Sequence, residues 1–229
     1  MSCIAIIPAR GGSKRIPRKN IASFLEKPIT AYSIEAALQS GIFDEVMTST
    51  DDSEIADISL KYGARVPFFR SVETSTDMAM TAPVLIEVLN KYKELGQKFE
   101  YCCCIYPCAP FVTSQRLRSG MELLISENAD SVLPVVKFSY PPQRGLVIRD
   151  SKLQMMFPEN HDVRSQDLEP MYHDAGQFYC MKSSSLIREG KLFCANTLPM
   201  ELSEMEVQDI DTIDDWKIAE MKYRMLNHV

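Results

Sequence analysis

Residues 3–20 read CIAIIPARGGSKRIPRKN. The apolar run 3–8 has the length and composition of a buried strand. It feeds directly into Gly11-Gly12. The loop that follows contains Arg10, Lys14, Arg15, Arg18 and Lys19 with no acid among them. Glycines let backbone N–H groups approach phosphate oxygens closely, and cations neutralise those oxygens. The spacing matches neither Gly-x-x-x-x-Gly-Lys-Ser/Thr nor Gly-x-Gly-x-x-Gly. In isolation it would read as an exposed basic turn. Placed immediately after the first strand, it reads as a site for a small anionic ligand.

Working outward, strands and helices alternate. Residues 30–40 place Ile34, Ala37 and Leu38 on one side, as a helix does, and Gly41 stops it. A strand is expected over 45–49 and a helix over 53–62, with Ser53 as N-cap and Gly63 as the residue past its end. Residues 65–69 are apolar again. Residues 81–92 form a helical pattern with Val84, Leu85, Val88 and Leu89 on one side. A continuous apolar run follows over 101–106, then a helix over 113–126 and a strand over 131–136. Strand–helix–strand order with continuous apolar strands implies an α/β fold: a Rossmann-like, mostly parallel sheet covered on both faces. Ligands of such sheets bind beyond the carboxyl ends of the strands.

The rhythm breaks at Lys137. Residues 137–170 contain Pro141, Pro142, Pro158 and Pro170, short β-like pieces and no helical pattern. This is expected to be an insertion that leaves the main sheet as a small arm. The domain assignment is therefore 1–136 with 176–229 for the α/β body and 137–175 for the arm. Strand character returns over 176–181, and 214–226 reads as a closing helix.

The composition bounds the function. Among 229 residues, 25 Lys and Arg face 31 Asp and Glu, a formal charge of −6. An acidic chain is a poor general binder of nucleic acid. The basic loop is thus a local exception. No apolar run approaches the roughly 20 residues needed to cross a bilayer, so no membrane association is expected. The seven cysteines are odd in number and include three in succession, Cys102–Cys104. Adjacent strand residues point to opposite faces, so these read as small core fillers. With no zinc-type CxxC pair, the pattern indicates a reducing, cytoplasmic setting.

A second constellation is Val207-Gln208-Asp209-Ile210-Asp211-Thr212. On extended chain, Asp209 and Asp211 share one side. Mg²⁺ is commonly held by one or two carboxylates plus substrate phosphates. The competing assignment is a cap for the closing helix. Beside a phosphate loop, the metal assignment is preferred. A third constellation is RSQDL at 164–168 with HDAGQFY at 173–179. His173 next to Asp174 has no accompanying nucleophile signature, so His173 receives no catalytic role.

Together, IIPARGGSKRIPRKN at 6–20, STDD at 49–52, Arg70 with Asp77 and Thr81, YPCAP at 106–110 and QDIDT at 208–212 resemble the cytidylyltransferases that activate sialic-acid-type sugars. The resemblance spans about residues 4–220. Within that family, RSQDLEPMYHDAGQFY at 164–179 is most similar to the pseudaminic acid group. The N-acetylneuraminate group usually has Arg-x-Asn-Gly where this chain has His173-Asp174-Ala175-Gly176.

The resemblance implies a nucleotidyltransferase fold with a dimerisation arm, and a homodimer with a shared active site. It implies CTP and an acidic nine-carbon sugar as substrates, and the CMP-sugar and pyrophosphate as products. CMP-N-acetylneuraminate synthesis is the alternative, and a non-catalytic nucleotide-binding protein on the same fold a lesser one. Arg10 and Lys19 are implied triphosphate ligands, supported by Ser13 and Lys14. Asn20, Arg70, Thr81 and Cys108 would surround the cytidine. Asp209 and Asp211 would hold Mg²⁺, with Asp211 counted beside Arg10 and Lys19 as catalytic. Gln177 and Tyr179, with Arg144 and Arg164 from the neighbouring subunit, are the expected sugar contacts.

Overall fold

A computed structural model describes residues 2–228. In chain order the elements are β1 (Cys3–Pro8), β2 (Ser23–Phe24), β3 (Lys27–Pro28), α1 (Ile29–Ser40), β4 (Glu45–Ser49) and α2 (Ser53–Lys61). They continue with α3 (Val72–Ser75), α4 (Thr81–Glu94), β5 (Tyr101–Ile105), α5 (Ser114–Ser126) and β6 (Ser131–Lys137). Then come β7 (Leu146–Arg149), β8 (Lys152–Met155), β9 (Tyr172–Asp174) and β10 (Phe178–Lys182). The chain ends with α6 (Ser183–Glu189), β11 (Thr197–Glu201) and α7 (Ile213–Asn227).

The main sheet has the order β11-β6-β10-β5-β1-β4, with β9 also paired to β6. Strands β4, β1, β5, β6 and β11 run in one direction, and β9 and β10 run against them. The mostly parallel α/β sheet expected from the strand–helix rhythm is therefore present, with one antiparallel strand at its centre.

The pleat sorts the core. Ala5 and Ile7 of β1 and Cys103 of β5 face one side, where they meet Ile34 and Ala37 of α1 and Leu117 and Met121 of α5. Ile4, Ile6, Cys102 and Cys104 face the other side, against Leu85, Val88 and Leu89 of α4 and Leu186 of α6. The three consecutive cysteines are buried and unpaired, divided between the two faces as the strand period requires. Burial pushes the Cys102 thiol up to about 12, so these thiols behave as apolar filler.

A third cluster positions the site. Ile16, Phe24, Ile29, Tyr32, Phe111, Ile210 and Ala219 pack together with Trp216 and Tyr223. Phe24 makes edge contacts with Tyr32, Trp216 and Tyr223 at centroid separations of 5.4, 5.5 and 5.7 Å. Such edge-to-face pairs add directional preference to burial. They seat α7 on the segment that follows the basic loop. Ile16 and Ile210 share this cluster, so two stretches of chain far apart in sequence become neighbours.

Local structure corrects or sharpens the sequence pattern at three places. Asp52, not Ser53, caps α2: its extended backbone lets the carboxylate accept from the Ile55 N–H at 3.0 Å. Residues 65–69 form no strand. Arg65 makes a single parallel bridge to Met47, and Pro67, which lacks an N–H, cannot extend it. The helix expected over 53–62 ends at Lys61, and Gly63 follows with φ +94°.

Residues 138–171 lie outside the main sheet. Within them β7 and β8 form a separate two-stranded hairpin. Leu146, Ile148 and Leu153 on this hairpin, and Met156 just after it, are exposed. Residues 172–174 of the predicted arm pair with β6 in the main sheet. Among the described residues, no helix is long and apolar enough to cross a membrane.

Candidate functional site

A cavity of about 320 Å³ opens at the carboxyl ends of β1 and β5. Its walls come from the loop after β1, the segment before α4, the turn after β5, Gly176 and the Asp209-Ile210 stretch. Arg10, Ser13, Lys14, Lys19, Asn20, Arg70, Thr81, Cys108 and Asp209 all line it. The predicted nucleotide ligands are thus brought together with one of the predicted metal ligands.

Close packing shapes the glycine turn. The Gly11 N–H donates to Asp51 Oδ1 at 2.9 Å. A Cβ at Gly11 would lie 2.7 Å from Asp52 Oδ2, and Asp52 cannot retreat because it caps α2 and is paired to Arg18. Gly11→Ala is therefore expected to destabilise the fold by about 1–3 kcal/mol, read as a drop of several degrees in Tm. An unchanged Tm would show that the turn has room.

The cations divide by partner. Arg10 and Lys14 both pair with Asp77. Arg15 reaches Asp211 Oδ2 at 2.7 Å, and Lys19 lies 3.5 Å from Asp211 Oδ1. Lys19 also donates to the Ile210 carbonyl at 2.5 Å. Arg18 departs from the uniform basic loop expected from sequence. Its left-handed backbone, φ 56°, turns the guanidinium to Asp52 and Glu54 at the start of α2. It is absent from the cavity wall and holds the loop against the scaffold instead.

The opposite wall is built for shape and hydrogen bonding. Asn20 donates to the Arg10 carbonyl at 2.8 Å and accepts from the Cys108 thiol at 3.2 Å, which ties the β1 loop to the β5 loop. Burial pushes that thiol up to about 12 against the pull of Lys19, so Cys108 is a neutral donor. Arg70 donates to Ser49 Oγ at 3.1 Å and to the Ser49 carbonyl at 2.6 Å. Thr81 and the Tyr106 hydroxyl are 3.1 Å apart.

Asp209 and Asp211 lie close enough for their charges to interact. Burial raises the Asp209 carboxyl above its usual range, and the charge of Asp211 raises it further. The cap expected from the Asp211-Thr212 pair is made by Thr212, in a reciprocal box with Asp215, and not by the Asp211 side chain. Asp209 lines the cavity, while Asp211, outside the lining, is engaged by Arg15 and Lys19. No group of three or more His, Cys, Asp or Glu side chains at metal-binding spacing occurs among the described residues. Asp209 on a cavity wall that carries phosphate-type cations, with Asp211 beside it in sequence, is a donor set that fits Mg²⁺ completed by substrate and water oxygens.

The four predicted sugar contacts are placed differently. Gln177 is 3% exposed, and its amide donates to the Glu206 carbonyl at 2.5 Å. Tyr179 is 2% exposed, its hydroxyl donates to Asp174 Oδ2 at 2.8 Å, and its ring meets Tyr106 edge-on at 5.3 Å. Neither lines the cavity. Tyr179 is placed by strand period, because β10 turns alternate residues into the two core faces, whereas Gln177 precedes the strand and is held by the Glu206 carbonyl. Gly176 reaches the cavity instead, where φ +63° breaks the run between β9 and β10. Arg144 donates to the Val163 carbonyl at 2.8 Å, and Arg164 pairs with Asp167 at 2.6 Å. Both stay within the arm, outside the cavity wall.

Two contributors were given no role from sequence. Arg15 belongs to the basic run and lines the cavity, a signal already present in its neighbours. Asp77 had only its place between Arg70 and Thr81 to mark it. Its pairing with two cations of a distant loop is a product of the fold.

A family model described as cytidylyltransferase matches residues 4–210. The chain is 42% identical over 229 residues to a pseudaminic acid cytidylyltransferase of Campylobacter jejuni, covering 100% of this chain and 98% of that one. It is 34% identical over 227 residues to a CMP-N,N'-diacetyllegionaminic acid synthase of Legionella pneumophila, covering 96% and 95%. Among solved structures, a CMP:2-keto-3-deoxy-manno-octonic acid synthetase complexed with CTP superposes with a TM-score of 0.73 at 16% identity, over 100% of both chains. That last likeness concerns the fold.

Proposed function

Because the chain belongs to the cytidylyltransferase family, we propose that it transfers CMP from CTP to a nine-carbon sialic-acid-like sugar, pseudaminic acid, releasing pyrophosphate. It is a nucleotidyltransferase. The observation that carries the substrate reading is the full-length 42% identity to a pseudaminic acid cytidylyltransferase, together with a cavity that gathers Arg10, Lys14, Lys19, Asn20 and Asp209.

In this reading Arg10, Lys14 and Lys19, with Ser13, hold the triphosphate. Asn20, Arg70, Thr81 and Cys108 orient the nucleoside. The sugar's anomeric hydroxyl attacks the α-phosphorus in line, and the bond to pyrophosphate breaks. Positioning and charge stabilisation are the protein's main contributions to such a transfer. Lys19, pinned to the Ile210 carbonyl, holds its ammonium fixed beside the site of developing negative charge. Asp209 and Asp211 would hold Mg²⁺, which when bound supplies Lewis-acid stabilisation of phosphate oxygens. Asp209 has the raised proton affinity that suits a proton acceptor at the attacking hydroxyl.

The exposed apolar hairpin β7–β8 supports a homodimer in which the arm packs on a second copy. In that assembly the partner subunit's Arg144 and Arg164 would meet the sugar, where a guanidinium pairs bidentately with a carboxylate. The unpaired cysteines support work in the reducing cytoplasm.

The specificity is tested by supplying CTP with one sugar at a time and measuring pyrophosphate release. The highest kcat/KM is expected with pseudaminic acid. A higher value with N-acetylneuraminic acid would transfer the assignment to that sugar. Tight CTP binding with no pyrophosphate from any of them would indicate a nucleotide sensor.

A further inference from the structure

The segment between α3 and α4 is anchored at both ends and lightly held between them. On its N-terminal side, Glu87 of α4 accepts from the Ser71 N–H and hydroxyl, both at 2.9 Å, and from Thr74. Burial raises the Glu87 carboxyl, but Lys91, Thr74 and Ser71 together bring it down to about 2, so this anchor is a fixed anion. On the C-terminal side, Thr81 begins α4. Between them, Met78 and Met80 are 88% and 74% exposed. Among the described hydrogen bonds and ion pairs, residues 77–80 are tied to the rest of the chain by one backbone bond, Ala79 to Thr76, and by Asp77.

Asp77 is not tied to its own neighbourhood. Its carboxylate is shared between Arg10 and Lys14, two cations on the cavity wall from the loop after β1. Those cations hold its carboxyl below the usual range, so it is charged at neutral pH. Ala79 and Thr81, on either side of the exposed Met80, also line the cavity. The loop therefore lies across the triphosphate end with its one anion where the ligand's anions are expected.

We infer that Asp77 is a gating carboxylate: an internal anion that occupies Arg10 and Lys14 until a polyphosphate displaces it. Solvent-exposed ion pairs of this kind are individually weak and easily exchanged. A ligand with several phosphate charges replaces both contacts at once, whereas a neutral ligand gains nothing from doing so. Asp77 thereby sets a threshold of ligand charge at this end of the site. Its return to Arg10 and Lys14 favours departure of pyrophosphate. It is a positioning residue, acting through the two cations rather than on substrate. This inference rests on the reading of Arg10 and Lys14 as phosphate ligands.

A gate that is closed nine-tenths of the time weakens apparent affinity about tenfold. The test measures binding of CTP, inorganic pyrophosphate and cytidine by calorimetry to full-length wild type, Asp77→Asn and Glu73→Gln. Glu73 is an exposed carboxylate on α3, so its variant reports mere through-space charge. Asp77→Asn is expected to tighten CTP and pyrophosphate by about five- to tenfold, with cytidine unchanged and Glu73→Gln within about twofold of wild type. Equal tightening in both variants, no tightening in either, or a shift in cytidine affinity would overturn the gate while leaving the phosphate reading intact. A wild type that binds neither CTP nor pyrophosphate would overturn the phosphate reading, and the gate with it.

Discussion

Lys19→Ala is expected to lower kcat by about a hundredfold or more while the protein remains folded. Its side chain is 22% exposed, with the ammonium group close to Asp211 and fixed by the Ile210 carbonyl. A cation held in place needs no reorganisation as charge builds on the phosphates, and that is where such groups are most effective. The apolar packing of Ile16 and Ile210 persists without the lysine, so a modest fall in Tm is expected rather than unfolding. Lys19→Arg is expected to recover only part of the rate, because a planar guanidinium cannot reproduce both contacts of a compact ammonium. Stopped-flow or steady-state pyrophosphate release checks kcat, and circular dichroism checks the fold. Near-normal turnover in a folded Lys19→Ala protein would remove Lys19 from the triphosphate site.

The second large effect concerns the carboxylate pair. Changing Asp209 and Asp211 together to alanine is expected to abolish Mg²⁺-dependent turnover, a loss of about a thousandfold. Stability should move the other way at Asp209. Its folded-state pKa lies above the ordinary carboxylate value of 3.8. A group of that kind costs stability as pH rises past the ordinary value, because the unfolded chain gives up its proton more readily. Asp209→Asn is thus expected to raise Tm at neutral pH in the absence of metal. Mg²⁺ should raise the Tm of the wild type and leave that of the double variant unchanged. Full Mg²⁺-dependent turnover in the double variant would place the metal elsewhere.

These residues show where sequence was informative. The Ile4–Ile7 and Cys102–Cys104 runs could only be buried strands, and their pleat divides them between two core faces as expected. A loop that follows a parallel strand must emerge at the carboxyl end of the sheet, so Arg10–Asn20 was bound to reach the cavity. The meeting of that loop with Asp209 depends on Phe24, Tyr32, Trp216 and Tyr223, whose mutual packing no local pattern announces. Individual side-chain destinations were less legible. Arg18 looks identical to Lys19 in composition, yet one left-handed residue sends it to Asp52 and Glu54. Gln177 and Tyr179 sit beside polar neighbours in sequence, but strand β10 and its entry point them inward. Asp77 acquires its meaning from two cations more than 60 residues away.

In the proposed reaction the sugar's anomeric hydroxyl attacks the α-phosphorus of CTP. This step is tested most directly by placing ¹⁸O at that hydroxyl of pseudaminic acid and analysing the products by mass spectrometry after a short reaction with the enzyme and CTP. The expected products are a CMP-sugar that retains the label and pyrophosphate that carries none. An unlabelled CMP-sugar, or CTP cleaved without any CMP-sugar, would contradict that step.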